Sequence, residues 1–189
     1  MKQWLLLALT ASMLFANANN YYEYGDLEVR NDGVLVETQT KKPANGIGRF
    51  YYESGELKGE TPFLNGLREG IGKIFYPSGK LKSETPFHDD KEEGVKKEYF
   101  ENGKLQSEIP FHNDAAEGVA KIYYPNGAVQ SETPFAHNLA NGVSKLYTPN
   151  GTMMRSIEFK NGTVVKAYDY DAQGHQKEIP ADQLNLEAQ

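Results

Sequence analysis

The chain has 189 residues, with 26 acidic against 20 basic side chains and a formal charge of −6. An acidic balance of this kind lacks the basic footprint that nucleic-acid binding needs. Cysteine is absent, which excludes disulfide staples, thiol catalysis and thiolate metal sites.

The first eighteen residues, MKQWLLLALTASMLFANA, read as a signal peptide: Lys2 is a short positive start, Trp4 to Phe15 an apolar run, and Ala16-Asn17-Ala18 an A-x-A cleavage site. The run is shorter than the roughly 20 residues a membrane-spanning helix needs. Nothing like it recurs, so cleavage before Asn19 yields a periplasmic or secreted chain without a transmembrane segment, and an uncleaved anchor is the alternative. Only Lys2 is lost, which moves the charge from −6 to −7.

Residues 19–45 carry a degenerate cap repeat, with the echo Arg30-Asn31-Asp32-Gly33-Val34-Leu35. Residues 46–164 then hold five copies of one unit, beginning at Gly46, Gly70, Gly94, Gly118 and Gly142, always 24 residues apart. An unbroken period of this size signals a repeat architecture, stabilised by contacts between neighbouring copies. Residues 165–174 are a partial C-terminal cap with Tyr168 and Tyr170, and residues 175–189 a polar tail or short helix. The caps cover the terminal edges, which would otherwise invite aggregation.

Counting the first glycine of each copy as position 1, positions 8 to 10 read E-S-G, P-S-G, E-N-G, P-N-G and P-N-G. That is the chemistry of a tight hairpin whose glycine takes a positive φ in a three-residue loop. Pairing outward from it sets position 7 opposite 11, 6 opposite 12 and 2 opposite 16. A second turn falls at positions 20 and 21: Asn65-Gly66, Asp89-Asp90, Asn113-Asp114, His137-Asn138 and Asn161-Gly162. The expected fold is all-β, an elongated antiparallel meander in one sheet of about a dozen strands, two per repeat. Strand alternation puts positions 2, 4, 6, 12, 14, 16 and 18 on a core face, as in Ile71, Phe75, Leu81 and Phe87 or Val119, Tyr123, Val129 and Phe135. Its cations at position 4 (Arg49, Lys73, Lys97, Lys121, Lys145) lay their stems across the core. The other face takes the aromatics of position 7 and the glutamates of position 15. Pro62, Pro86, Pro110 and Pro134 at position 17 cannot donate to a ladder, so a crease is expected there.

The run G-x-x-K-x-Y-Y-x-N-G-K-L-x-S-E, as in Gly94 to Glu108, resembles the bacterial variant of the MORN repeat, and the likeness extends from Gly46 to about Gly174. It is similar also to multi-copy MORN proteins often labelled antitoxins of toxin-antitoxin systems. The resemblance implies one elongated, curved β-sheet and roles in scaffolding or in protein and lipid contact, with no catalytic residue, metal ligand or cofactor to carry over.

Three constellations bear on function. His88 and His112 share position 19, but equivalent residues one repeat apart lie two strand spacings, about 9.5 Å, from each other, too far to share a zinc ion. A His88-Asp89-Asp90 turn is then either a solvated turn or a weak cation site. The glutamates Glu60, Glu84, Glu108 and Glu132 have a spacing near that of a glycosidase pair, yet a ladder of identical carboxylates has nothing to push two pKa values apart. Ser83, Ser107 and Ser131 at position 14 face away from them and have no regular histidine partner. The best candidate binding surface is the aromatic line of position 7, Tyr52, Tyr76, Phe100 and Tyr124, with Lys80, Lys82 and Lys104; the alternative is that these rings pack on one another. The expected function is therefore non-catalytic: a binding or scaffold module in the cell envelope for a protein, glycan or lipid-headgroup partner. An antitoxin-like neutralising partner and an envelope hydrolase using the repeat carboxylates are the alternatives.

Overall fold

The computed structural model describes residues 21–23, 25–180 and 183; the signal-peptide segment lies outside them, as does most of the polar tail. Every named element is a strand, and the described chain divides into two units. One runs to Leu81 and includes Pro86–Lys91; the other comprises Lys82–Thr85 and the chain from Glu92 onward.

The first unit contains β1 (Tyr21–Tyr22), β2 (Leu27–Val29), β3 (Leu35–Glu37), β4 (Gly46–Tyr51), β5 (Leu57–Leu64), β6 (Leu67–Arg68) and β7 (Gly70–Phe75). Two strands, β8 (Leu81–His88) and β9 (Lys91–Glu92), supply residues to both units. The second unit continues with β10 (Gly94–Tyr99), β11 (Leu105–His112), β12 (Ala115–Ala116), β13 (Gly118–Tyr123) and β14 (Val129–Ala136). It ends with β15 (Leu139–Ala140), β16 (Gly142–Tyr147), β17 (Met153–Lys160), β18 (Thr163–Tyr170) and β19 (Gln176–Glu178).

Both predicted turns form. At the first, Gly127 N–H donates to Tyr124 O at 2.8 Å and Tyr124 N–H to Ala128 O at 2.9 Å, which is the expected opposition of positions 7 and 11. The second is a two-residue loop with both residues left-handed, as at Asn113 (φ 49°) and Asp114 (φ 65°). This is the type I′ geometry that matches strand twist, and it explains why Asn, Asp and Gly fill these positions.

The register between the turns departs from expectation. Tyr123 pairs with Val129 as predicted, but the ladder then slips, so that Ile122 pairs with Ser131, Lys121 with Glu132 and Val119 with Pro134. The same shift occurs between Phe50 and Tyr51, between Glu98 and Tyr99 and between Leu146 and Tyr147. Position 13 is therefore the extra residue of a β-bulge. Because side chains alternate, one inserted residue moves everything beyond it to the other face. Positions 2, 4, 6, 12, 15 and 17 share one face, and positions 3, 5, 14, 16 and 18 the other. The predicted core face is thus split: Val119, Tyr123 and Val129 stay together, but Phe135 lies opposite them with Gly118.

The crease expected at position 17 is displaced onto the neighbouring strand. Strand β5 runs unbroken through Pro62, while β6 and β7 are separated by Glu69, whose N–H donates to Pro62 O at 3.1 Å. Glu117 and Asn141 do the same to Pro110 and Pro134. A strand residue's N and O point to the same side, so the proline nitrogen faces this interruption, where no ladder bond is lost. The single out-of-strand residue at position 24 also splits the expected strand into a two-residue and a six-residue piece at Glu69, Glu93, Glu117 and Asn141, whereas β18 runs unbroken through Val165.

Caps differ from the repeats. At the start, β1 pairs parallel with β4 and a separate hairpin, β2 with β3, lies beside it; Val36 and Ala44 there are 1% and 0% exposed. At the end, β19 pairs with β18, Tyr168 opposite Glu178, so residues 176–178 of the expected tail form an edge strand. Among the described residues the buried apolar side chains are few and mostly small: Tyr22, Val36, Ala44, Ala116, Ala120 and Ala167. Most of the other large rings are half-buried. Cohesion must therefore come largely from bonds between adjacent repeats.

Candidate functional site

The bulge brings the cations of position 4 and the glutamates of position 15 onto one face, although strand alternation alone places them on opposite faces. In the second unit Lys97 pairs with both Glu84 and Glu108, Lys121 with Glu108 and Glu132, and Lys145 with Glu132. Charges of opposite sign thus alternate from strand to strand; Lys121 Nζ lies 3.3 Å from Glu132 Oε1. In the first unit Glu60 stands between Arg49 and Lys73, with Arg49 Nε donating to Glu60 Oε1 at 2.9 Å.

Glu84, Glu108 and Glu132 each also receive a phenol from the following repeat. Tyr99 donates to Glu84 at 2.9 Å, Tyr123 to Glu108 at 2.8 Å and Tyr147 to Glu132 at 3.2 Å. Burial, and then the hydrogen bond to the carboxylate, pushes the Tyr99 and Tyr123 hydroxyls up to about 12. Tyr147 is raised for the same causes. The serines of position 14 lie on the opposite face, as expected; Ser107 is 6% exposed and donates to Glu98 at 3.1 Å.

Beside the charged row runs an apolar one. Val95, Val119 and Val143 at position 2 are 44%, 48% and 48% exposed, and Val95 and Val119 pair with Pro110 and Pro134. Strand alternation alone expects these valines in the core; among the described residues no second layer covers this face, and they stand in solvent. Periodic sequence alone carried no signal for that exposure.

The residues of position 7 are half-buried, and two of them tie repeats together. Tyr52 OH donates to Phe75 O at 2.7 Å, and Tyr124 OH to Tyr147 O at 2.8 Å. Tyr76 and Phe100 are half-buried as well, while Lys80, Lys82 and Lys104 are exposed. Lys104 Nζ donates to Asn126 O of the next turn at 3.0 Å.

The histidine turns are organised by the glutamate of position 24. Glu69 accepts Asp89 N–H at 3.0 Å and lies 3.1 Å from His88 Nδ1; the backbone bond first, then the histidine, hold its carboxyl below the usual range. Glu93 repeats this with Asn113 and His112 at 2.8 Å each. Donor atoms of Glu69, His88 and Asp89 lie within 4.8 Å of one another, but His88 and Asp89 are exposed and Glu69 already caps the turn. Further bonds link the turns along the same side: Asp114 N–H donates to Glu92 O at 3.1 Å and Glu92 N–H returns to Asp114 Oδ1 at 2.7 Å.

A cleft lies in the second unit. It has a volume of about 360 Å³ and is lined by Ala128, Val129, Glu132, Tyr147 and Gly151. Ala128 stands where the two preceding repeats have Lys80 and Lys104.

Comparison with known proteins separates family from function. No curated protein matches the chain. Among solved structures, a protein with unknown function from Bacteroides fragilis NCTC 9343 is similar at 9% identity over 72% of this chain and 91% of that one, with a TM-score of 0.17. A family model described as the MORN repeat variant matches residues 44–65, 68–89, 92–113, 116–137 and 140–161. Those spans coincide with the hairpins just described and cover more than half of the sequence: the chain belongs to the MORN repeat variant family.

Proposed function

We propose that this repeat protein is a non-catalytic binding module for a protein partner in the cell envelope, reached after export. The observation that carries the reading is the exposure of Val95, Val119 and Val143 on one face of the second unit. Recurring apolar side chains left in solvent beside a charged row mark an interaction surface. The alternating Lys97, Glu108, Lys121, Glu132 and Lys145 row has no dominant sign, which favours a protein surface of mixed charge over an anionic headgroup or nucleic acid. Glu84, Glu108 and Glu132 each accept a phenol and pair across the strands with a lysine, an alike setting that supplies no differentiated acid and base for hydrolysis. Export is supported by the A-x-A site after the apolar run of Trp4 to Phe15.

The test compares crosslinking capture from the native envelope by the wild type and by a V95E/V119E/V143E variant whose fold is checked by circular dichroism. A protein captured by the wild type and lost by the folded variant supports the proposal. Undiminished capture by the variant overturns it, as does recovery of glycan or lipid alone. N-terminal sequencing of the exported chain tests the compartment: a start at Asn19 is expected, and a start at Met1 refutes cleavage.

A further inference from the structure

Six adjacent strands of the second unit carry one charge each on the face of the exposed valines: Glu84 on β8, Lys97 on β10, Glu108 on β11, Lys121 on β13, Glu132 on β14 and Lys145 on β16. The signs alternate without a break, three of each, so the row ends on opposite signs. The Lys121 and Glu132 side chains remain 40% and 29% exposed. Beside the row stand Val95, Val119 and Val143, with Pro110 and Pro134 on the strands between them.

We propose that this face binds a second copy of the chain, sheet against sheet, about a two-fold axis that runs parallel to the strands and lies between β11 and β13. The inference rests on the binding reading above and deepens it by naming the partner. Rotation about that axis reverses the order of the strands and keeps each row at its own height along them. Glu108 then faces Lys121 of the second copy, Lys97 faces Glu132 and Glu84 faces Lys145, so all six charges of each chain meet the opposite sign. The apolar row falls on itself in the same movement, Val119 against Pro110 and Val95 against Pro134. Facing sheets pack about 10 Å apart, a separation that lysine and glutamate side chains close from both sides. Other two-fold arrangements of the charged row fail on charge. An axis lying on β13 sets Lys121 against Lys121 and Glu108 against Glu132, and an axis along the row sets every charge against its own copy; like charges opposed across an interface are costly. The pattern therefore selects partner and register together. A foreign protein would have to present alternating charges at the strand spacing of about 4.8 Å beside an apolar row, which this face itself does, and a two-fold dimer closes on one self-complementary patch.

The test is sedimentation of the purified exported chain at micromolar concentration, compared with Lys97→Glu and Glu132→Lys variants whose folds are checked by circular dichroism. The wild type is expected to be a dimer. Either reversal alone sets two like-charge pairs into the interface and weakens the dimer about tenfold or more. An equal mixture of K97E and E132K restores it, because in the mixed dimer each reversed side chain faces the other and the remaining pairs are native. Within one chain Lys97 pairs with Glu84 and Glu108, and Glu132 with Lys121 and Lys145, so the rescue reads contact between copies. Glu84→Lys mixed with Lys145→Glu makes the same test if E132K fails to fold. A monomeric wild type, single variants as dimeric as the wild type, or mixtures no more dimeric than their components overturn the proposal. Envelope capture separates the two claims. A monomeric wild type that still captures a different protein, lost in the valine variant, removes the self-association alone, whereas capture unchanged in the valine variant removes the binding reading itself.

Discussion

Tyr123 and Glu108 come from consecutive repeats, and the phenol of the one donates to Oε2 of the other at 2.8 Å. The pair fastens neighbouring hairpins on the face that carries the charged row. Glu60 shows what replaces it: the following repeat has Phe75 at the tyrosine position, and Glu60 is instead held by an arginine, Arg49, at 2.9 Å. Tyr123→Phe is expected to cost about 1 kcal/mol in urea unfolding, the typical net worth of one hydrogen bond. A double-mutant cycle with Glu108→Ala should show the two losses to be less than additive. Strict additivity would mean that the contact stabilises nothing.

The same bonds set an alkaline limit. The Tyr99 and Tyr123 hydroxyls are raised from 10.0 to about 12, by burial and then by Glu84 and Glu108. A folded pKa above the unfolded one contributes stability that is complete below the unfolded value, about 10, and is lost as pH climbs through the folded one. The wild-type melting temperature should therefore fall across that window. A Y99F/Y123F chain, which has no phenols to ionise there, should start lower and fall less steeply, and parallel curves would refute the linkage.

Gly118 has a φ of +110°, and a Cβ added to it would lie 3.1 Å from Pro110 Cγ. Gly127, in the hairpin turn, has a φ of +95° and open space around it. Alanine at either position pays the left-handed backbone penalty of about 1 kcal/mol. Only Gly118→Ala also crowds the proline, so thermal unfolding should show it to be the costlier change. Equal costs would show that the proline gives way freely.

Tyr124 tests the line of position 7 directly. Removal of its hydroxyl in Tyr124→Phe should cost about 1 kcal/mol through the lost bond to Tyr147 O, while leaving partner capture intact. Tyr124→Ser should cost more, because the half-buried ring goes as well. Unchanged stability in Y124F together with reduced capture would place the ring at the binding surface instead.

The sites were legible in unequal measure. The change at Ala128 stands in the sequence, in a column that reads Lys80, Lys104 and then Ala128. The pairing of Tyr147 with Glu132 does not, because the two lie 15 residues apart in different repeats and meet only through hydrogen-bonded neighbouring strands. Nor does the exposure of Val119, since an aliphatic residue in a strand reads as core unless it is known that no second layer covers that face.

By itself the sequence determined the period, the count of repeats, both turns and the family, because Gly, Asn and Asp at fixed intervals leave the backbone little choice where φ is positive. Which side each residue faces was decided only by the tertiary structure. Position 13 looks like any strand residue, and it becomes the bulge where the ladder sets Lys121 opposite Glu132 and Ile122 opposite Ser131. The neighbouring strands complete that arrangement, with Glu132 placed between Lys121 and Lys145 and Glu108 between Lys97 and Lys121. A side-chain alternation of period two turns that one unpaired residue into an exchange of faces for all that follows, and no pattern within a single strand records it.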